Sequence, residues 1–105
     1  EAAFAGYGIS VTGDPDMTTV HCVPRDSELV QTLLRCYADY TGVENPQPIA
    51  IGGGTYARAF PNCVCFGSVY PKEELTVHSP NERTLRANII KNTIMYGYAI
   101  HELTD

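Results

Sequence analysis

The chain has 105 residues, of which 44% are hydrophobic and 18% are charged, and its formal net charge is −5. This length suffices for one compact domain, and the apolar content excludes intrinsic disorder. Twelve acidic residues against seven basic ones leave no basic surface for nucleic acid, and no apolar run reaches the ~18 residues that a membrane span needs. We therefore expect a globular protein with neither a nucleic-acid partner nor a membrane partner.

The four cysteines, Cys22, Cys36, Cys63 and Cys65, could form two disulfides in three different ways. The chain has enough apolar residues to build a core without disulfides, so we expect reduced thiols that pack as small hydrophobic side chains. Reduced thiols and the absence of an Asn-x-Ser/Thr sequence predict a cytoplasmic location.

The first half of the chain predicts extended segments followed by a helix. Residues 7–23 are rich in Val, Ile and Thr, with a turn at residues 13–16. A helix is predicted over residues 27–41, because apolar residues recur at helical spacing between a candidate N-cap at Asp26 or Ser27 and a stop signal at Gly42.

The second half predicts two short buried strands and a second helix. The apolar runs at residues 49–51 and 63–66 are typical of strands buried on both faces. Ser79 and Glu82 have the spacing of a capping box for the last helix. The apolar stripe of that helix, which we expect to pack against a sheet, comprises Leu85, Ile89, Ile90, Ile94, Tyr96, Ala99, Ile100 and Leu103. The order strand, helix, strand, strand, helix predicts an α/β fold.

Three consecutive glycines, Gly52, Gly53 and Gly54, follow the first short strand. Their spacing to Ala57 satisfies a relaxed dinucleotide-binding pattern, but Pro61 ends any helix within about one turn, which argues against nucleotide binding. Glycines also let a ligand approach the backbone, whose N–H groups can hold a carboxylate. Such a role predicts a positive φ, or no room for a Cβ, at one of the three. A plain turn is the alternative.

His78 precedes the predicted last helix, where a histidine is more often a surface residue than a metal ligand. His21 and His101 are far from it in the sequence, and the chain has no His-x-x-x-His or Cys-x-x-Cys spacing. A self-contained zinc site is therefore not expected.

Several motifs nevertheless resemble the C-terminal end of co-catalytic zinc metallopeptidases. They are the sequence IGGGTYARAFPN at residues 51–62, Phe66-Gly67, HSPNE at residues 78–82, and residues 96–103. The family includes Xaa-His dipeptidases, carnosinases, aminoacylases and carboxypeptidase G, and the order of the motifs is similar to its dipeptidase V branch. The resemblance runs from about Val23 to the end of the chain.

The resemblance implies a hydrolase that cleaves dipeptides or N-acylated amino acids with two zinc ions. His78 matches the family's last metal ligand, and Asn81 and Glu82 follow it as residues that would orient its loop. The residues that match the glycine-rich motif lining the substrate cleft are Gly53, Gly54, Thr55 and Arg58.

The resemblance also implies a division of the chain. Residues 1–22 resemble the end of the family's lid domain, a domain of the dimerisation type. Residues 23–105 resemble the C-terminal part of its catalytic domain. The family's remaining metal ligands and its general-base glutamate lie upstream, so no catalytic residue is assigned in this chain. We expect the chain to be inactive alone, to be completed by the remainder of its catalytic domain, and to self-associate through uncovered apolar surface. The alternative is a stand-alone α/β ligand-binding module with an anion site at Gly52–Gly54.

Overall fold

The computed structural model describes residues 5–8, 20–67 and 69–104. Within these ranges the chain forms two α-helices, α1 (Glu28–Thr41) and α2 (Arg86–Thr104), and two 3-10 helices, Ala5–Tyr7 and Tyr56–Ala59. No β-strand occurs in the described ranges, so the predicted strand-helix-strand-strand-helix α/β fold is wrong for them. Most of the extended segment predicted at residues 7–23 lies outside the described residues.

The two predicted inner strands are wrong because neither apolar run pairs with a neighbour among the described residues. A strand needs an adjacent strand to satisfy its backbone donors and acceptors. At residues 49–51 the chain is extended and exposed, with 87% of Ile49 accessible to solvent. Residues 63–66 are also extended, but Val64 and Phe66 pack against the helices instead of entering a sheet.

The first helix, α1, follows its sequence prediction closely. Ser27 is the N-cap, and its hydroxyl oxygen accepts a hydrogen bond from the Val30 N–H at 3.3 Å. At the other end Gly42 takes the left-handed conformation with φ = 71°, and its N–H donates to the Ala38 carbonyl. Both helix ends are thus determined by local side chains and backbone conformation.

The second helix, α2, begins at Arg86, later than the capping box predicted. Asn81 has φ = 61°, which is incompatible with the first turn of a right-handed helix. Glu82 donates its N–H to the Ser79 carbonyl in a turn, and the Ser79 hydroxyl contacts the Val77 carbonyl instead of capping a helix. The predicted capping box is therefore wrong, although the body of the helix is present.

The core lies between the two helices. Leu33 and Cys36 of α1 and Ala99 of α2 are its buried centre. All four cysteines are free. Cys36 is fully buried, as expected for a thiol that acts as a small hydrophobic group, but Cys22 and Cys65 are exposed, so that expectation is wrong for them. Polar contacts join the same two helices, since Arg35 pairs with Glu102 at 3.6 Å and the Tyr98 hydroxyl donates to Asp39 at 3.3 Å.

The helix α2 turns a different face towards the core from the one predicted. Its buried residues are Asn88, Asn92, Met95 and Ala99. Most of the predicted apolar stripe is exposed because the described part of the chain forms no sheet to cover it. The isoleucines with more than half of their surface accessible are Ile89, Ile90, Ile94 and Ile100. We call these four side chains the outer face of α2.

Candidate functional site

The glycine-rich segment ends in a short 3-10 helix that organises the candidate site. Thr55 is the N-cap of this helix, and its Oγ1 accepts a hydrogen bond from the Ala57 N–H at 3.2 Å. Phe60 ends the helix and is followed by Pro61, so the predicted single helical turn is confirmed. Arg58 therefore lies three positions after the cap, on the same turn as Thr55.

A shallow cavity of about 560 Å³, widely open to solvent, lies at this turn and is lined by Gly54, Thr55, Tyr56 and Arg58. Three of these four are residues that the resemblance assigned to substrate binding. The fourth, Tyr56, was not predicted, although its place between Thr55 and Arg58 could have indicated it. Gly53 was predicted and is not among the lining residues.

The glycines before the cavity do not have the expected backbone conformation. None of Gly52, Gly53 and Gly54 has positive φ. A Cβ at Gly52 or Gly53 would meet nothing within 4 Å, whereas one at Gly54 would lie 3.4 Å from Arg58 Nη1. The prediction of a positive φ, or of no room for a Cβ, is therefore wrong, because a Cβ at Gly54 would make only ordinary van der Waals contact with the Arg58 side chain.

Cys65 connects this turn to another segment of the chain. Its thiol donates to Thr55 Oγ1 at 3.1 Å. No sequence pattern indicates this contact, because ten positions separate the two residues and Cys65 was expected to lie on a strand face. Thr55 Oγ1 thus accepts hydrogen bonds from a backbone amide and from a thiol.

His78 lies in a loop that is closed by two hydrogen bonds. The Thr76 hydroxyl donates to the Arg83 carbonyl at 3.0 Å and accepts from the Arg83 N–H at 3.1 Å. The Arg83 guanidinium also pairs with the Glu74 carboxylate at 2.6 Å. His78 is exposed at the tip of this loop, with φ = 58°.

The other residues predicted around His78 are exposed and lie in the same loop. Asn81 has a left-handed backbone, and the Glu82 N–H closes the turn that begins at Ser79. Among the described residues, no group of three or more His, Cys, Asp or Glu side chains is arranged to hold a metal ion. His78, Asn81 and Glu82 are also absent from the lining of the cavity at Gly54.

A polar cluster next to α2 was missed entirely by sequence reasoning. The Glu73 carboxylate accepts hydrogen bonds from the Tyr70 N–H and from the Asn88 amide. Lys91 lies over the Tyr70 ring, with Nζ 5.6 Å from the ring centroid. Burial, followed by neighbouring tyrosines and Glu73, raises the pKa of Tyr70. These contacts fix the loop before the His78 segment against α2.

The similarity of this chain to known proteins is a similarity to individual sequences. No family model matches the chain, and no solved structure matches it. In the described part of the chain, no helix is long and apolar enough to cross a membrane.

Several individual proteins are nevertheless similar to this chain in sequence. Over 84 residues, or 80% of this chain, the sequence is 38% identical to the Beta-Ala-Xaa dipeptidase of Lactobacillus delbrueckii subsp. lactis. It is 36% identical over 83 residues (79% of the chain) to YtjP of Bacillus subtilis, and 33% identical over 85 residues (81% of the chain) to a Staphylococcus saprophyticus protein; both are named as dipeptidases. The matched region is 18% of each relative's length. These similarities support a relationship to a dipeptidase family.

Proposed function

We propose that this chain is part of a dipeptidase and that the turn at residues 54–58 binds the carboxylate of the substrate. The observation that carries the proposal is the cavity lined by Gly54, Thr55 and Arg58, the residues that the family resemblance assigns to the substrate cleft. The relatives named as dipeptidases support the same activity. The substrates we propose are dipeptides or N-acylated amino acids.

The chemistry of the turn suits a carboxylate. A guanidinium group offers several N–H donors in a planar arrangement that matches the two oxygens of a carboxylate. A threonine hydroxyl and backbone N–H groups supply further donors at the same place. An arginine and a hydroxyl on one short turn would therefore orient the free carboxyl end of a dipeptide.

The zinc ions of the resembling family do not fit the residues of this chain alone. A zinc site needs at least three protein ligands, and no such group occurs among the described residues. We propose that His78 supplies one ligand and that a longer polypeptide, the remainder of the catalytic domain, supplies the others together with the general base. The exposed position of His78 at a loop tip is compatible with that role.

We further propose a cytoplasmic location for this dipeptidase. All four cysteines are free thiols, and free thiols persist in a reducing compartment.

A chimera tests the proposed function. The matched 84-residue region of the Lactobacillus dipeptidase is replaced by the corresponding residues of this chain, and hydrolysis of a β-alanyl dipeptide is measured. We expect an active chimera, in which Arg58→Ala raises KM at least about tenfold because a charge-assisted hydrogen bond is lost. The 105-residue chain alone should show no hydrolysis and no tight zinc binding.

The control is Arg25→Ala, which removes an exposed arginine outside the turn. An inactive chimera that folds normally would contradict the proposed function. If the 105-residue chain then still bound a carboxylate, it would be a stand-alone binding module instead.

A further inference from the structure

The Thr55 hydroxyl is engaged on both of its acceptor positions. Oγ1 accepts the Ala57 N–H at 3.2 Å and the Cys65 thiol at 3.1 Å. A hydroxyl has two lone pairs and one hydrogen, so two incoming hydrogen bonds leave the hydrogen to point in a further direction. Because Thr55 is exposed and lines the cavity, this hydrogen is available to an oxygen atom of a ligand.

Cys65 is itself held in place by the helical core. Its neighbours Val64 and Phe66 pack against the buried cluster between the helices. The Tyr96 hydroxyl, on α2, shares its one hydrogen between the carbonyls of Phe66 at 3.0 Å and Gly67 at 2.8 Å. Cys65 therefore connects Thr55, at the edge of the cavity, to the best-packed part of the molecule.

We propose that Cys65 is a positioning residue for carboxylate binding at the 54–58 turn. It directs the Thr55 hydrogen towards the ligand by occupying an acceptor position on the hydroxyl oxygen, and it does not touch the ligand. This role rests on the proposed function, since it requires that the turn binds a carboxylate. A thiol is a weak donor, so its contribution is to orientation more than to binding strength.

The experiment titrates the full 105-residue chain, labelled with ¹⁵N, with glycylglycine and follows the amide signals of Thr55 and Ala57. The native chain should bind glycylglycine more tightly than glycylglycinamide, which lacks the carboxylate. In Cys65→Ala the hydroxyl is free to turn, and we expect the Kd for glycylglycine to rise roughly two- to tenfold, as for the loss of one hydrogen bond. Cys65→Ser keeps a donor and should restore the native Kd.

The matched control is Cys22→Ala, which removes the other exposed thiol and should leave the Kd unchanged. An unchanged Kd in Cys65→Ala would overturn the positioning role. A lower Kd would also overturn it, because the Thr55 hydrogen would then be bound to sulfur in the native chain. Failure of Cys65→Ser to recover binding would indicate general packing and would overturn it as well.

A separate result would identify failure of the proposed function. If the native chain binds glycylglycine no better than the amide, or binds neither, the turn is not a carboxylate site. In that case the proposed carboxylate binding is wrong, and the positioning role of Cys65, which depends on it, is wrong as well.

Discussion

Tyr96 connects α2 to the extended segment at residues 63–67 through one side chain. Its hydroxyl shares one hydrogen between two backbone carbonyls, and its ring lies 6.0 Å from the Phe66 ring in a tilted arrangement. Burial raises the pKa of the Tyr96 phenol above its ordinary value of 10.0. The neutral, donating form is therefore the form that the folded state stabilises.

This pKa shift predicts a loss of stability at alkaline pH. Above about pH 10 the unfolded chain releases the Tyr96 proton while the folded chain retains it, so the free energy of unfolding falls as the pH rises. Burial also raises the pKa of the Cys36 thiol from 9.0. Because the ordinary pKa of a thiol is lower than that of a phenol, Cys36 begins to reduce the free energy of unfolding at a lower pH than Tyr96. Urea unfolding between pH 7 and pH 11 measures the decline.

The Tyr96→Phe variant isolates the tyrosine contribution. It should unfold more easily at pH 8 by about 1 kcal/mol, since the hydrogen bonds are lost, but should decline less steeply above pH 10. Tyr56→Phe, at a residue that is 95% exposed, should change neither the free energy of unfolding at pH 8 nor its decline above pH 10. An equally steep decline in Tyr96→Phe would contradict the assignment.

At the scale of the elements, two glycines at different places in the helices should respond in opposite ways to the same substitution. Gly42 ends α1 with φ = 71°, a conformation that costs a residue with a Cβ about 1 kcal/mol. Gly97 is in the interior of α2, and a Cβ there would meet nothing within 4 Å. Alanine at Gly97 would lower the entropy of the unfolded chain without a clash.

We therefore predict that Gly42→Ala destabilises the chain by about 1 kcal/mol and that Gly97→Ala stabilises it by about 0.5–1 kcal/mol. Thermal unfolding followed by circular dichroism at 222 nm compares the two variants. Stabilisation by Gly42→Ala would contradict the left-handed end of α1, and destabilisation by Gly97→Ala would contradict the open space for a Cβ in α2.

Sequence reasoning succeeded for elements with local determinants. The first helix has its N-cap, apolar spacing and terminal glycine within consecutive residues, and these alone specify Glu28–Thr41. The family resemblance placed Thr55 and Arg58 in one motif, and the structure brings them to the same short turn; their role in substrate binding stays a prediction. Strand pairing and the Cys65–Thr55 contact depend on residues that are distant in the sequence. The start of α2 depends on the left-handed backbone of Asn81. No local sequence pattern reveals either of these determinants.

At the scale of the whole molecule, the chain exposes more surface than a compact protein of its mass. Its accessible surface is 8807 Å², whereas a folded monomer of this size exposes about 5,800 Å². The outer face of α2 contributes four largely exposed isoleucines to this area. Exposed apolar side chains grouped on one helix favour association.

We predict that the 105-residue chain self-associates with increasing concentration through the outer face of α2. The double variant Ile90→Glu and Ile94→Glu should shift sedimentation towards monomer and lower the binding of the dye ANS, because two charges interrupt the apolar face. Asn62→Glu, on an exposed loop, adds charge elsewhere as a control. A native chain that stays monomeric at high concentration would contradict the prediction.

The contacts between the helices also constrain the order of folding. Tyr98 and Asp39, which join α2 to α1, are 59 positions apart, so the core requires the closure of a long loop with an entropic cost that grows slowly with its length. A helix of 14 residues such as α1 is marginal in water without a packing partner. Within this chain α1 therefore depends on α2 for lasting structure, and we expect truncation within α2 to remove the stability of both helices.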